Sequence, residues 1–200
     1  CVHFYDLVRY FLELGWPRRI SASGGVYMRR NTPDLTLPDT QIACFDYDDL
    51  QVVWNQRNWG ANPDPDYPWG ATLYGEKGTL KLSVHRYDFI PNGQGERQSG
   101  SFVDQRDAYP QDVEHQETEL FAAPATRAHM RDFLAARHEG RRPVSDIEEG
   151  HISTACCLLA NVSMKVGRSL VWDVENQRIA GDDEANALLA RSYRAPWERP

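Results

Sequence analysis

The stretch TQIACFDYDDLQVVWNQRNW, residues 40–59, decides the fold. Over 40–47 polar and apolar residues alternate, the period of a strand with one face buried. Asp48 and Asp49 follow as turn residues, and 50–59 reads as a second strand, so the stretch is a hairpin. Working outward, RISASGGVYMR (19–29) alternates in the same way. On the other side, GANPDPDYPWG (60–70) holds three prolines and two glycines and reads as a loop. ATLYGEKGTLKLSVHRYDF (71–89) reads as a second hairpin, turning at Gly75-Glu76-Lys77-Gly78.

Helical patterns flank these strands. HFYDLVRYFLELG (3–15) places Phe4, Leu7, Val8, Phe11 and Leu12 at helical spacing, with Gly15 as the C′ residue and Pro17 as a stop. TRAHMRDFLAARHEG (126–140) carries Met130, Phe133 and Leu134 on one face and ends at Gly140. Residues 145–168 open with Ser145 at the N-cap and Glu148 three residues on, a capping box, and close with Lys165 and Arg168 beside Gly167. SLVWDV (169–174) reads as a short strand and DDEANALLAR (182–191) as a short helix, followed by a tail. Residues 91–124 are polar, rich in Gly and Gln, and read as a long loop. The order of elements predicts one α+β domain over 1–200: a large, open, mostly antiparallel sheet with helices packed on one face. The other face meets solvent or a partner.

Composition narrows the function classes. The chain has 200 residues, 22 Lys+Arg and 29 Asp+Glu, a net charge of −7. The hydrophobic share is 41% and the charged share 26%, the balance of a globular domain. Only three of the basic residues are Lys, and the Arg are scattered, which argues against a nucleic-acid surface. No apolar run approaches the ~20 residues of a membrane span. Cys1, Cys44, Cys156 and Cys157 show no CxxC or zinc spacing, so they read as reduced thiols in a cytoplasmic setting, with no metal. The chain begins at Cys1, already in a helical pattern, and reads as a piece of a longer protein.

Nucleotide motifs are absent. Gly93-Gln94-Gly95 lies in a polar loop without the strand–turn–helix context of a dinucleotide site, and Gly75-Glu76-Lys77-Gly78-Thr79 lacks P-loop spacing. Asn161-Val162-Ser163 is a glycosylation sequon in form, but inside a helical pattern. Two histidines remain as chemical candidates. His3 and Asp6 stand three apart near the start of the first helix and share a face. An imidazole there can move a proton near neutrality, or simply end a helix. His151 lies in the first turns of the long helix. Trp54, Trp59, Tyr67, Trp69 and Tyr74 cluster around the 60–70 loop, where flat rings serve either sugar stacking or packing.

The run CVHFYDLVRYFLELGWPRRISASGG (1–25) resembles the start of the C-terminal domain of the Gfo/Idh/MocA oxidoreductases. Further matches are PDTQIACFDY (38–47), TLYGEKGTLKL (72–82), HMRDFLAARHEGRRPVSDIEEGHIS (129–153), LANVSMKVGRSLVWD (159–173) and GDDEANALLARSYRAPW (181–197). The resemblance covers nearly the whole chain. It implies a Rossmann domain binding NAD or NADP ahead of Cys1, and an open sheet face that makes homodimers or homotetramers. His3 falls on the His of the family's Asp-x-x-x-His motif, implying a proton-transfer residue; Asp6 is an orienting or helix-surface residue and, with Trp59, Trp69 and His151, a candidate for substrate binding. His151 matches a Gly-His-x-Ser pattern, implying an interdomain or pocket-edge role. Cys1 stands where the family often has Gly.

The function so implied is the substrate-binding and oligomerisation domain of an NAD(P)-dependent dehydrogenase of sugars or related polyols. Two alternatives stand beside it. One is a non-catalytic carbohydrate-binding or assembly domain using Trp59 and Trp69. The other is a redox-neutral relative in which NAD supports glycoside cleavage.

Overall fold

In the computed structural model, the 40–59 hairpin is the centre of a sheet. Strand β2 (Thr40–Asp46) pairs antiparallel with β3 (Gln51–Arg57) along its whole length, from Thr40 opposite Arg57 to Asp46 opposite Gln51. The turn between them closes with the Tyr47 N–H donating to the Leu50 carbonyl at 2.9 Å. The structure describes residues 1–28, 37–61, 64–113, 122–190 and 193–197. The described chain divides into two compact units, Cys1–Gly60 with Glu148–Pro200, and Ala61–Ile147.

In the first unit β1 (Arg19–Gly25) pairs with the other edge of β2. β8 (Leu170–Asp173) pairs with β1 and β9 (Arg178–Ile179) with β8, giving the antiparallel order β3-β2-β1-β8-β9. Two helices, α1 (Val2–Leu12) and α3 (Ile147–Val166), supply the apolar surface that covers one face. The core gathers Ile20, Ala43, Phe45 and Leu170 from the sheet with Tyr5, Ile152, Cys156, Leu159 and Ala160 from the helices. The alternation of β2 is therefore real: Gln41, Ala43 and Phe45 are buried while Ile42 faces out. Gly24 sits so close to β2 that a Cβ there would collide with the Thr40 carbonyl.

β8 pairs with only Arg19 and Ile20 of β1. Beyond that point the fully buried Ser163 of α3 takes over, accepting from the Ala22 N–H at 3.0 Å and donating to the Arg168 carbonyl at 2.7 Å. One hydroxyl thus satisfies a strand edge and the end of a helix.

The second unit holds β4 (Ala71–Gly75), β5 (Gly78–Leu82), β6 (Arg86–Pro91) and β7 (Gln98–Ser101) in that order, all antiparallel. The 64–69 segment is clamped to it: Tyr67 donates to Asp88 at 2.6 Å, Lys81 meets Asp64 at 2.6 Å, and the Arg86 guanidinium lies 4.8 Å from the Tyr67 ring centre. Helix α2 (Ala122–Glu139) is fixed by Arg127, which forks onto Asp112 at 2.9 and 2.7 Å and stacks 3.8 Å from the Tyr109 ring. That pairing holds the Asp112 carboxyl below its ordinary range.

The α+β expectation holds in that the sheets are antiparallel and helices lie on one face of the first, but the strands expected in one large sheet form two, of five and four strands, in the two units. Several boundaries differ. Helix α1 ends with Glu13, not Gly15, in the left-handed conformation at φ 52°, its N–H bonded to the Arg9 carbonyl. Gly15 instead lends its carbonyl to side chains described below. Helix α3 begins at Ile147, so Asp146 and not Ser145 directly precedes it. The expected 182–191 helix is a single turn, α4 (Asp183–Asn186), capped by the Asp182 carboxylate accepting from the Ala185 N–H. Its last residue, Asn186, turns its side chain back to pair both backbone groups of Ile179. The 91–124 stretch contains β7, a 3₁₀ turn at Pro110–Val113 and the start of α2; 114–121 lie outside the described residues, as do Arg29 at the end of the expected first strand and 191–192 and 198–200 of the tail.

Phe45 stands fully buried between α1 and the sheet, its ring 4.3 Å from that of Tyr5. Phe45→Ala is expected to lower the stability of the first unit by about 3–5 kcal/mol, read from urea unfolding.

Candidate functional site

The chemically distinctive region lies where α1 meets α3. Helix α1 turns Phe4, Tyr5, Val8 and Arg9 inward. Three of these are apolar or aromatic; the fourth is a cation with 2% of its surface exposed. A guanidinium cannot be deprotonated, so burial demands acceptors. It finds four: Nε donates to the Gly15 carbonyl at 3.4 Å, Nη1 to the Glu149 carbonyl at 3.0 Å and to Ser153 Oγ at 2.6 Å, and Nη2 to the Glu149 carboxylate at 2.8 Å.

Ser153 is fully buried, and its role follows from valence. Its oxygen accepts from Arg9, so its own proton is free for another partner. It donates to Asp6 Oδ1 at 2.5 Å. Asp6 sits one turn before Arg9 on the same helix, so α1 is held to α3 at two successive turns. A third contact lies deeper: the Tyr5 and Tyr47 hydroxyls are 2.7 Å apart. Tyr47 donates onward to the Gly15 carbonyl at 3.4 Å, so Tyr5 is the donor in the pair. Burial pushes both phenols up, Tyr47 to about 12, and likewise pushes the Cys156 thiol up to about 12. None of these groups ionises near neutral pH.

His3 projects from the first turn of α1, three residues before Asp6, and is exposed. Among the described residues it makes no hydrogen bond. His3 and Asp6 are thus together on α1, with Asp6 engaged by Ser153. His151, on α3, is exposed and packs edge-on against Trp16 at 5.8 Å; Trp16 in turn stacks on Trp172 at 5.2 Å. Trp59 donates its indole N–H to Thr40 Oγ1 at 3.0 Å in the first unit. Trp69, 64% exposed, belongs to the second unit. The two tryptophans paired in the sequence reading therefore belong to separate units.

Arg9, Ser153, Glu149, Trp16 and Trp172 were not singled out from the sequence. A signal existed for two of them: Arg9 falls on the apolar stripe of α1, and Ser153 on the buried stripe of α3 between Ile152 and Cys156. A polar residue in such a stripe points to a buried partner.

Among the described residues, no group of three or more His, Cys, Asp or Glu side chains is gathered as a metal site would need. No described helix is long and apolar enough to cross a membrane. Gly93-Gln94-Gly95 lies between two strands, β6 and β7, with Gly93 at φ 85°. A dinucleotide pyrophosphate needs the N-terminus of a helix after such a turn, so this turn does not fit one.

The family comparison agrees with this architecture. The model described as "Oxidoreductase family, C-terminal alpha/beta domain" matches residues 92–199, more than half of the chain. The chain belongs to this family, the Gfo/Idh/MocA oxidoreductases. No curated protein sequence matches. Among solved structures, the chain is similar to an oxidoreductase from Agrobacterium radiobacter in complex with NAD+, L-tartaric acid and magnesium. The TM-score is 0.61 at 15% identity, over 85% of this chain and 47% of that one. It is similar to the WlbA dehydrogenase from Bordetella pertussis in complex with NADH and UDP-GlcNAcA: TM-score 0.55, 17% identity, 86% and 46% covered. It is also similar to aldose-aldose oxidoreductase from Caulobacter crescentus complexed with glycerol: TM-score 0.56, 12% identity, 85% and 45% covered. The chain spans about half the length of these structures, and at such identities the likeness is one of fold.

The Arg9–Ser153–Asp6 chain carries a direct prediction. Ser153→Ala leaves a buried N–H donor of Arg9 and a carboxylate oxygen of Asp6 unpaired. It is expected to destabilise the first unit by about 1–3 kcal/mol in urea unfolding.

Proposed function

We propose that this chain is the substrate-binding and oligomerisation domain of a cytoplasmic NAD(P)-dependent dehydrogenase acting on sugars or related polyols. The observation that carries the reading is His3: an exposed imidazole, free of hydrogen bonds among the described residues, on a helix pinned from behind by Arg9, Ser153 and Asp6. Family membership supports an oxidoreductase, and relatives of the same fold are described with NAD+, NADH, L-tartaric acid, UDP-GlcNAcA or glycerol.

The part of the reaction assigned to this chain is substrate binding and proton transfer. NAD or NADP is held mainly by a Rossmann domain ahead of Cys1. An alcohol yields its hydride only if the hydroxyl proton also leaves. His3 takes that proton on a ring nitrogen, its neutral form being the acceptor. Asp6 does not reach for substrate: its Oδ1 is occupied by Ser153, so it orients the turn that bears His3. His151 and Trp16 border the same helix pair and form the edge of the substrate pocket.

The test uses the protein with the residues its gene encodes ahead of Cys1, assayed for NAD(P)H formation on a panel of sugars and polyols. Turnover is expected with at least one, and His3→Gln is expected to lower kcat by about 10²–10⁴-fold while KM changes little. Wild-type kcat in that variant overturns the role of His3; no turnover with any polyol overturns the substrate class.

The open face of the first sheet is the proposed homodimer or homotetramer interface. Ile42, Val53 and Val171 stand exposed on it, at 44%, 57% and 45%. Ile42→Asp with Val53→Asp is expected to reduce the sedimenting mass to that of the monomer. A monomeric wild type, or a variant of unchanged mass, removes this face as the interface.

A further inference from the structure

Cys1 and Cys157 are 156 residues apart in sequence, yet their sulfurs lie 3.1 Å apart. Both are free thiols and both are half-buried. The separation is longer than the ~2.05 Å of a disulfide bond and brings the two sulfurs into direct contact. The remaining thiols are placed differently. Cys156, one residue before Cys157, points into the core beside Tyr5 and is fully buried. Cys44 lies opposite Val53 on β2, in the outward-facing register. Small reagents therefore reach one close pair, and only that pair has its sulfurs in contact among the described residues.

We propose that Cys1 and Cys157 form a redox-closing dithiol, oxidised by a small symmetrical disulfide of the glutathione type. The reaction balances in two exchanges. The Cys1 thiolate attacks one sulfur of the oxidant; an S–S bond forms at Cys1, the oxidant's S–S bond breaks, and one small thiolate leaves. Cys157 then loses its proton and attacks Cys1 Sγ, forming the internal disulfide and expelling the second small thiolate. The protein dithiol gives up two electrons and two protons, and the oxidant becomes two thiols.

The order follows from position. Cys1 is the N-cap of α1, where unpaired backbone N–H groups face a developing anion. Cys157 lies within α3, where burial pushes its thiol up to about 11, so it acts second, on a sulfur already held against it. The closed bridge would bind the first turn of α1, two residues from His3, covalently to α3, next to the Ser153 contact. The inference rests on two sulfur positions and is independent of the reading of His3.

The experiment incubates the whole chain with oxidised glutathione, traps remaining thiols by alkylation, and maps non-reduced peptides by mass spectrometry. A peptide joining Cys1 to Cys157 is expected, with alkylatable thiols falling from four to two per chain. In Cys157→Ser, Cys1 is expected to stop at the mixed disulfide with glutathione. Four alkylatable thiols after oxidation, a persistent mixed disulfide in the wild type, or a bridge involving Cys44 or Cys156 each overturn the proposal.

Discussion

A single buried guanidinium organises the region where the chemistry of this chain is concentrated. Arg9 lies on the apolar side of α1, and a bare cation there would cost more than the surrounding contacts could offset. The fold answers by bringing two backbone carbonyls, a carboxylate and a hydroxyl around it. Those groups come from the loop after α1 and from the first two turns of α3. Satisfying one charge therefore sets the register of α1 against α3. The hydroxyl of Ser153, committed as an acceptor to Arg9, must point its proton at Asp6, and the turn bearing His3 is held as a consequence.

The sheet beneath supplies the platform. Its inward face is apolar at every other residue, so α1 and α3 both have somewhere to bury Tyr5, Ile152, Cys156 and Leu159. Its edge is completed by a side chain, Ser163, where the short strand β8 runs out. The second unit solves its own problems with charge. Asp88 is shared by Tyr67 and Arg97, and Asp112 by the two arms of Arg127, so loop 64–69 and helix α2 are tied down by polar clamps. In this unit Met130, Phe133 and Leu134, read from the sequence as one helical face, remain about half exposed.

Much of this was legible in the sequence wherever the determining forces are local. The hairpin over 40–59 follows from alternation and from the turn residues between the strands and forms as read, while the stretch 71–89, read as one hairpin, turns where expected at 75–78 but carries a third strand, β6, after a second turn. Helix ends were less legible. Gly15 has the right composition for a helix stop, but Glu13 takes the left-handed position, and the Gly15 carbonyl accepts from Arg9 and Tyr47 instead. The 182–191 helix has good local propensity, yet Asn186 is diverted to the edge strand β9.

The candidate site divides in the same way. His3 and Asp6 were visible because three residues on a helix share a face, a relation set by backbone geometry alone. The aromatic pair Trp59 and Trp69 was plausible by nearness in sequence, and folding assigns the two to different units. By itself the sequence determined the alternation, the turns and the faces of each helix, since these depend on neighbours a few residues apart. Only the tertiary structure decided that Arg9 meets Glu149, Ser153 meets Asp6, and Cys1 meets Cys157. Those pairs are separated by 140, 147 and 156 residues, and no local periodicity records which buried charge or thiol will find which partner when two helices dock on one sheet.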